Sequence, residues 1–213
     1  MVKLEFLLAF ITILLCSSSS FAGTIPSDHR YSPRSQVPTS IGNYVFPTDV
    51  TIPANLTVPK GNCFKFSLHV SGYIWYQCTN KTWEFSEGRV LFFNHEDVSQ
   101  YPDSAVASTY NPGSSVFASA GIRSIIPKYD SSSLIATTTI NYQPPDPNDF
   151  PWGLEETHDN TGDGAFKDIT YIIRLNTKNG IPPPNSLCGT QYKEGYIYSS
   201  ILSAQNLFYH PGP

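Results

Sequence analysis

The sequence has a single methionine, its first residue, and 13 Lys and Arg that nowhere gather into a run. Without a basic patch there is no electrostatic footprint for a nucleic acid, and a formal charge of −4 offers nothing to a polyanion. There is no G-x-G-x-x-G, so the turn that lets backbone N–H groups hold a pyrophosphate is missing and no cofactor is expected. There is no G-x-S-x-G nucleophile elbow. His29, His69, His95, His158 and His210 form neither H-x-H nor H-x-x-x-H, so they read as isolated surface or packed residues, and no metal is expected.

Only one long apolar run exists, Phe6–Cys16. Lys3 precedes it and Ser20-Phe21-Ala22 follows with small residues at the two positions a signal peptidase inspects. The run is shorter than the roughly 20 residues a membrane helix needs. Residues 1–22 are therefore expected to be a signal peptide, with a secreted mature chain and no membrane contact after cleavage. Cys16 would leave with it. Cys63, Cys78 and Cys188 would remain in an oxidising compartment, an odd number that allows one intrachain bridge and one leftover thiol. Asn55-Leu56-Thr57 and Asn80-Lys81-Thr82 are glycosylation sequons, which places Asn55 and Asn80 on surface loops.

What is abundant is aromatic residues and proline. Thirteen Tyr, 13 Phe and 18 Pro favour strands and oppose long helices. Residues 23–43 read as an extended Pro/Ser-rich leader, 44–209 as one β-rich domain, and 210–213 as a tail. Tyr44–Pro59, with three prolines, can pair only as an edge or irregular strand. Phe64–Val70 alternates, Ser71-Gly72 signals a turn, and Tyr73–Cys78 completes a hairpin. Trp83–Phe85, Arg89–Asn94, Ala105–Tyr110, Val116–Ala118, Ile122–Ile126 and Leu134–Ile140 follow as short strands. Trp152-Gly153-Leu154 begins a packed helix or strand, and Tyr196–Tyr198 and Asn206–Tyr209 read as the last two strands. Turn signals about every ten residues give an all-β domain, a sandwich or a barrel with long Pro-rich loops.

The most ordered stretch is Asp168–Cys188. Ile169, Tyr171, Ile173 and Leu175 alternate with Thr170, Ile172, Arg174 and Asn176, the pattern of a half-buried strand. Asn179-Gly180 stops it, and Pro182-Pro183-Pro184 forces an extended connector. Alternation puts Arg174 on the Ile172 face, where a guanidinium over partly apolar surface needs a carboxylate. Asp163, Asp168 and Glu155 are the candidates. A structural role for Arg174 is expected, alongside Tyr171 and Trp152.

Several motifs recur in a fixed order: Tyr76-x-Cys78, Pro151-Trp152, Gly162-x-Gly164, then Ile169-Thr170-Tyr171-Ile172-x-Arg174-x-x-Thr177. Gly180-x-x-Pro183, Cys188 and Tyr198…Phe208-Tyr209 complete the set. On these the chain resembles the family known as domain of unknown function 3455, over residues 45–209 and most strongly from Trp152 to Cys188. The resemblance implies a secreted β-rich domain without an established activity. Some members of that family carry a malate-dehydrogenase label, which this sequence gives no dinucleotide motif to support. Where such members tend to show a His and a Gly-Pro-x-Trp segment, this chain has Tyr110-Asn111-Pro112-Gly113. The resemblance also favours a Cys78–Cys188 bridge, since both cysteines occupy its motif positions. Cys63–Cys78 is the rival, because a hairpin would set those two side by side.

Candidate chemistry is sparse. His95-Glu96-Asp97 and Glu155-Glu156-x-His158-Asp159 bring carboxylates near imidazoles, and a glycosidase needs two carboxyl groups across the scissile bond. Asp159-x-Thr161-x-Asp163-Gly164 matches part of a calcium loop, but Thr170 stands where the bidentate acid belongs, and a tight turn explains the glycines. Trp75, Trp83 and Trp152 suit either the core or sugar stacking. The expected function is a secreted extracellular or cell-wall-associated protein, non-enzymatic, binding a glycan or a surface protein. The alternative is a secreted hydrolase using loop carboxylates. Exposed aromatics on a flat face would favour the first, and carboxyls converging in a concave pocket the second.

Overall fold

Alternating sequence becomes eight antiparallel strands in a computed structural model that describes residues 38–98, 101–111 and 119–213. They are β1 (Asn62–Thr79), β2 (Thr82–Phe93), β3 (Ala107–Tyr110), β4 (Ser119–Ser124), β5 (Ser133–Tyr142), β6 (Trp152–Thr161), β7 (Tyr171–Asn179) and β8 (Ile197–Pro211). Each pairs with the next, and β8 returns to β1, closing an up-and-down barrel. Between sandwich and barrel, the chain is a barrel. The expected strand Val116–Ala118 lies outside the described residues.

The strands are longer and fewer than the sequence pattern implied. Ser71-Gly72 is no turn: β1 runs unbroken for 18 residues through it. Gly72 serves close packing instead, since a Cβ there would lie 2.6 Å from Val90 Cα and against the Arg89 carbonyl of the neighbouring strand. β2 likewise joins Trp83–Phe85 to Arg89–Phe93. The two expected closing strands are one, β8, running through Ser199–Gln205 because it is held on both sides by β1 and β7. The expected tail is part of it: β8 includes His210 and Pro211, and Gly212 N–H donates to Gly61 O at 2.7 Å.

Two cores divide the apolar residues by strand parity. One gathers Phe66, Phe92, Ala107, Ile122, Leu134, Ile172 and Phe208 inside the barrel. The other gathers Leu154, Ile173, Leu175 and Leu207 on the outer face, under the irregular segment around the 3-10 turn Ala54–Leu56. The residues just before that segment are not free leader either. Ile41 is buried in the inner core, and Asn43 exchanges both backbone hydrogen bonds with Ser67, where β2 has already ended and β1 needs a partner.

One end of the barrel is plugged. Phe166, from the β6–β7 connection, packs on Phe66 and Phe208, whose rings stack at 4.7 Å. Buried Asp130 fixes this plug, accepting from Ser132 N and Oγ and from Ala165 N. Gly164, at φ 145°, passes so close to that carboxylate that a side chain would collide with it. At the other end Asn179 and Gly180 take positive φ and turn the chain out of β7. Cys188, in the following connection, is bridged to Cys78 at the end of β1, with Cα atoms 5.5 Å apart. The rival Cys63–Cys78 pairing would have to span one strand, roughly 50 Å. Cys63 is itself disulfide-bonded, and no described cysteine is a free thiol. The leftover thiol expected from three cysteines is therefore not found among the described residues. No helix among the described residues is long and apolar enough to cross a membrane.

Candidate functional site

The inner face of β6 carries no apolar side chain. Gly153, Glu155 and Thr157 face the lumen there, opposite Arg174 and Ile172 of β7. Gly153 makes room for the guanidinium, whose Nη2 lies 2.9 Å from where a Cβ would be. Arg174 Nη1 donates to Glu155 Oε1, Nε donates to Pro151 O at 3.3 Å, and the group lies over the Phe150 ring. Of the three candidate acids Glu155 is the partner. Asp168 pairs with Lys65 and Asp163 with Lys167. Arg174 is thus a lumen residue holding β6 to β7, with 16% of its side chain exposed. Tyr76 closes the lumen nearby, its hydroxyl donating to Gly180 O at 2.7 Å and its pKa pushed up to about 12 by burial.

The outer face of β1 is divided along its length. Its lower half, Ser67 and His69, is roofed by residues 43–49. Among the described residues, none roofs its upper half. Tyr73 is 47% exposed, its ring 5.9 Å from that of half-buried Trp75 two residues on. Ile201 of β8 pairs with Tyr73, and Ser199 with Trp75. Ile197 and Ile201 are exposed as well. On the other flank β2 sets Arg89 and Glu87 beside the two rings, ion-paired at 2.6 Å. The result is an aromatic strip edged by hydroxyl, carboxylate and guanidinium groups.

Beneath the roof is an open cavity of about 330 Å³ lined by Phe46, Asp49, His69, Glu96 and Gln205, among others. Burial lowers the His69 pKa against the opposing pull of Glu96, with His95 also lowering it and Asp49 and Asp97 raising it. Of the two expected carboxylate–imidazole clusters, His95-Glu96-Asp97 therefore contributes Glu96 to a concave site. The other is split by the strand. Glu155 faces the lumen, Glu156 is exposed on the opposite face, and His158 bonds to Asp159.

Trp152 and Tyr171 pack in the outer core under the irregular segment. Trp83 packs against the inner core and touches Tyr192 and Tyr198 beside the disulfide. Asn55, in the 3-10 turn, and Asn80, in the β1–β2 turn at φ 51°, are both exposed. Among the described residues no group of three or more His, Cys, Asp or Glu is placed to hold a metal ion. The sequence did not signal Ile197, Ile201 or the meeting of His69 with Asp49 and Glu96. Those residues come from separate elements and share no local pattern. Comparison with family models, curated proteins and solved structures finds no match to this chain.

Proposed function

We propose that this chain is a secreted, non-enzymatic binding module that engages a glycan of the extracellular or cell-wall surface through the bare outer face of β1 and β8. The observation that carries the reading is the Tyr73–Trp75 strip, left uncovered on a face whose other half is roofed. Sugar rings present C–H faces that pack on aromatic rings, and hydroxyls that need the polar groups lining such a strip. Ser199, Glu87 and Arg89 supply those groups. The signal-peptide pattern of residues 1–22, the exposed Asn55 and Asn80 as glycan acceptors, and a disulfide that persists in an oxidising compartment support export. Membership of the family known as domain of unknown function 3455 belongs to the same proposal and rests on motif order. A glycan array probed with the secreted protein tests it. Binding that disappears in Tyr73→Ala and Trp75→Ala variants of unchanged melting temperature supports it, and binding indifferent to both removes it.

A second reading, a glycosidase-like hydrolase, is favoured by Asp49 and Glu96 lining one cavity with a His69 whose pKa is lowered. It requires reducing-sugar release from a polysaccharide panel that Glu96→Gln abolishes.

A further inference from the structure

We propose that the outer face of β4, β5 and β6 carries an acyl-acceptor site, in which His158 activates the Thr137 hydroxyl toward a short, uncharged carboxylic ester. An unbroken chain of side-chain hydrogen bonds runs across these strands. Ser119 Oγ lies 2.7 Å from Thr137 Oγ1, which lies 3.1 Å from His158 Nε2, and His158 Nδ1 lies 2.9 Å from Asp159 Oδ2. A hydroxyl bonded to an imidazole that a carboxylate orients is the arrangement of an activated nucleophile. The glycan strip lies elsewhere, on β1 and β8. The site asks for one acylation per chain, not turnover, and so goes beyond the binding reading without replacing it.

One atom fixes the direction of every bond in the chain. An ionised carboxylate only accepts, so Nδ1 carries the ring proton. In the neutral ring Nε2 is then bare and accepts from Thr137. Thr137 spends its only proton there, so its other bond is accepted from the Ser119 hydroxyl. Its oxygen therefore has a base on one side and a donor on the other, and the donor stabilises the charge that grows as the proton leaves. The neighbouring threonines are not equivalent. Thr138 points to the other face of β5, and Thr139 Oγ1 donates to Leu154 O at 3.1 Å.

Adjacent residues of a strand project to opposite faces, so a regular β6 would hold the Asp159 carboxylate away from His158. A bulge removes that obstacle. Ser133 pairs with Thr161 and Ile135 with His158, which leaves Asp159 and Asn160 opposite Leu134 alone. Asp159 takes φ 53° there, a region Asp tolerates. Asn160 Nδ2 anchors the bulge, donating to Phe166 O at 3.0 Å and Ile169 O at 2.7 Å. His158 and Asp159 are exposed, with Thr137 half-buried beside them. Glu156 pairs directly with Thr137 and, with Asp159, makes this face acidic, which repels an anionic donor. Ser119, Glu156 and Asp159 surround the hydroxyl with polar groups that give a long acyl chain no apolar surface to pack on.

In the step, Thr137 Oγ1 attacks the ester carbonyl carbon as its proton passes to His158 Nε2. The bond from that carbon to the alkoxy oxygen breaks, and the leaving alcohol takes the proton from Nε2. The products are acyl-Thr137 and a free alcohol, with His158 neutral again.

The test is incubation of the secreted chain with p-nitrophenyl acetate, then acid quench, intact mass and fragmentation mapping. A single acetyl group on Thr137 is expected, with nitrophenolate released in step with it. His158→Gln should slow its appearance by about a hundredfold or more, the reach of a general base. Asp159→Asn, which lets the ring take the other tautomer, should slow it by about tenfold or more. Thr137→Val should abolish it. All three side chains lie on the outer face, and thermal melts matching the parent chain show that the variants fold. An acetyl group on Ser119, Thr138 or lysine in place of Thr137, a parent rate in His158→Gln, or a p-nitrophenyl hemisuccinate reacting as fast as the acetate would each overturn the proposal.

Discussion

Glu155 and Arg174 meet inside the barrel, diagonal to one another across β6 and β7, with 8% and 16% of their side chains exposed. Removing either partner strands the other charge in the lumen, at a cost of about 3 kcal/mol. For a domain of this size that lowers Tm by roughly 6–12 °C. Arg174→Ala and Glu155→Gln should each show this loss in thermal melts. The pair Arg174→Met with Glu155→Leu should recover much of it, since apolar replacement removes the desolvation cost. A double variant as unstable as the sum of the singles would contradict the pairing.

The Cys78–Cys188 bridge spans 110 residues and ties the β7–β8 connection to the end of β1. Chain entropy gives roughly 4–5 kcal/mol for such a loop, an upper figure. Cys78→Ala combined with Cys188→Ala should shift the urea midpoint down accordingly. Non-reducing peptide mapping should recover a Cys78–Cys188 peptide, and a Cys63–Cys78 peptide would refute the topology.

Gly72 lies against the β2 backbone, and a methyl group there would overlap Val90 Cα and the Arg89 carbonyl. Gly72→Ala should therefore destabilise by about 2 kcal/mol or more through overpacking. At a flexible turn the same change would be neutral or stabilising. Equilibrium urea unfolding distinguishes the two.

Burial lowers the His69 pKa in the folded chain. A His with a depressed folded pKa binds fewer protons folded than unfolded, so its stabilising contribution is complete above about pH 6.5 and is lost as pH falls through the folded value. Tm should decline from near pH 6.5 downward, a window above that of Asp168, whose pKa is held below the usual carboxylate value. Partial burial raises it, but the hydrogen bond and charge of Lys65 outweigh that. His69→Gln should flatten the upper part of the decline and leave the lower part. An unaltered profile would show that His69 does not set it.

The strand through Arg174 was legible from alternation alone, because period-two patterning is a local property of the chain. The pattern also placed Arg174 with Ile172 and away from Ile173, and Asn179-Gly180 ended the strand where positive φ was needed. The all-β class followed from composition in the same way. Alternation cannot say which face turns inward, so Glu155 as a lumen residue was beyond it, although Glu155 stood among the candidate partners. Local punctuation failed at Gly72, where a turn signal proved to be a close approach between strands. It failed again in Ser199–Gln205, where polar residues continue a strand because β1 and β7 hold it on both sides. The sequence by itself determined the β class, the alternating faces of β7 and the end of that strand, since each depends on neighbouring residues. The tertiary structure alone decided barrel closure, strand length, the bridge and which aromatics stay bare. These depend on β1 meeting β8 across most of the chain, and no local pattern encodes that contact.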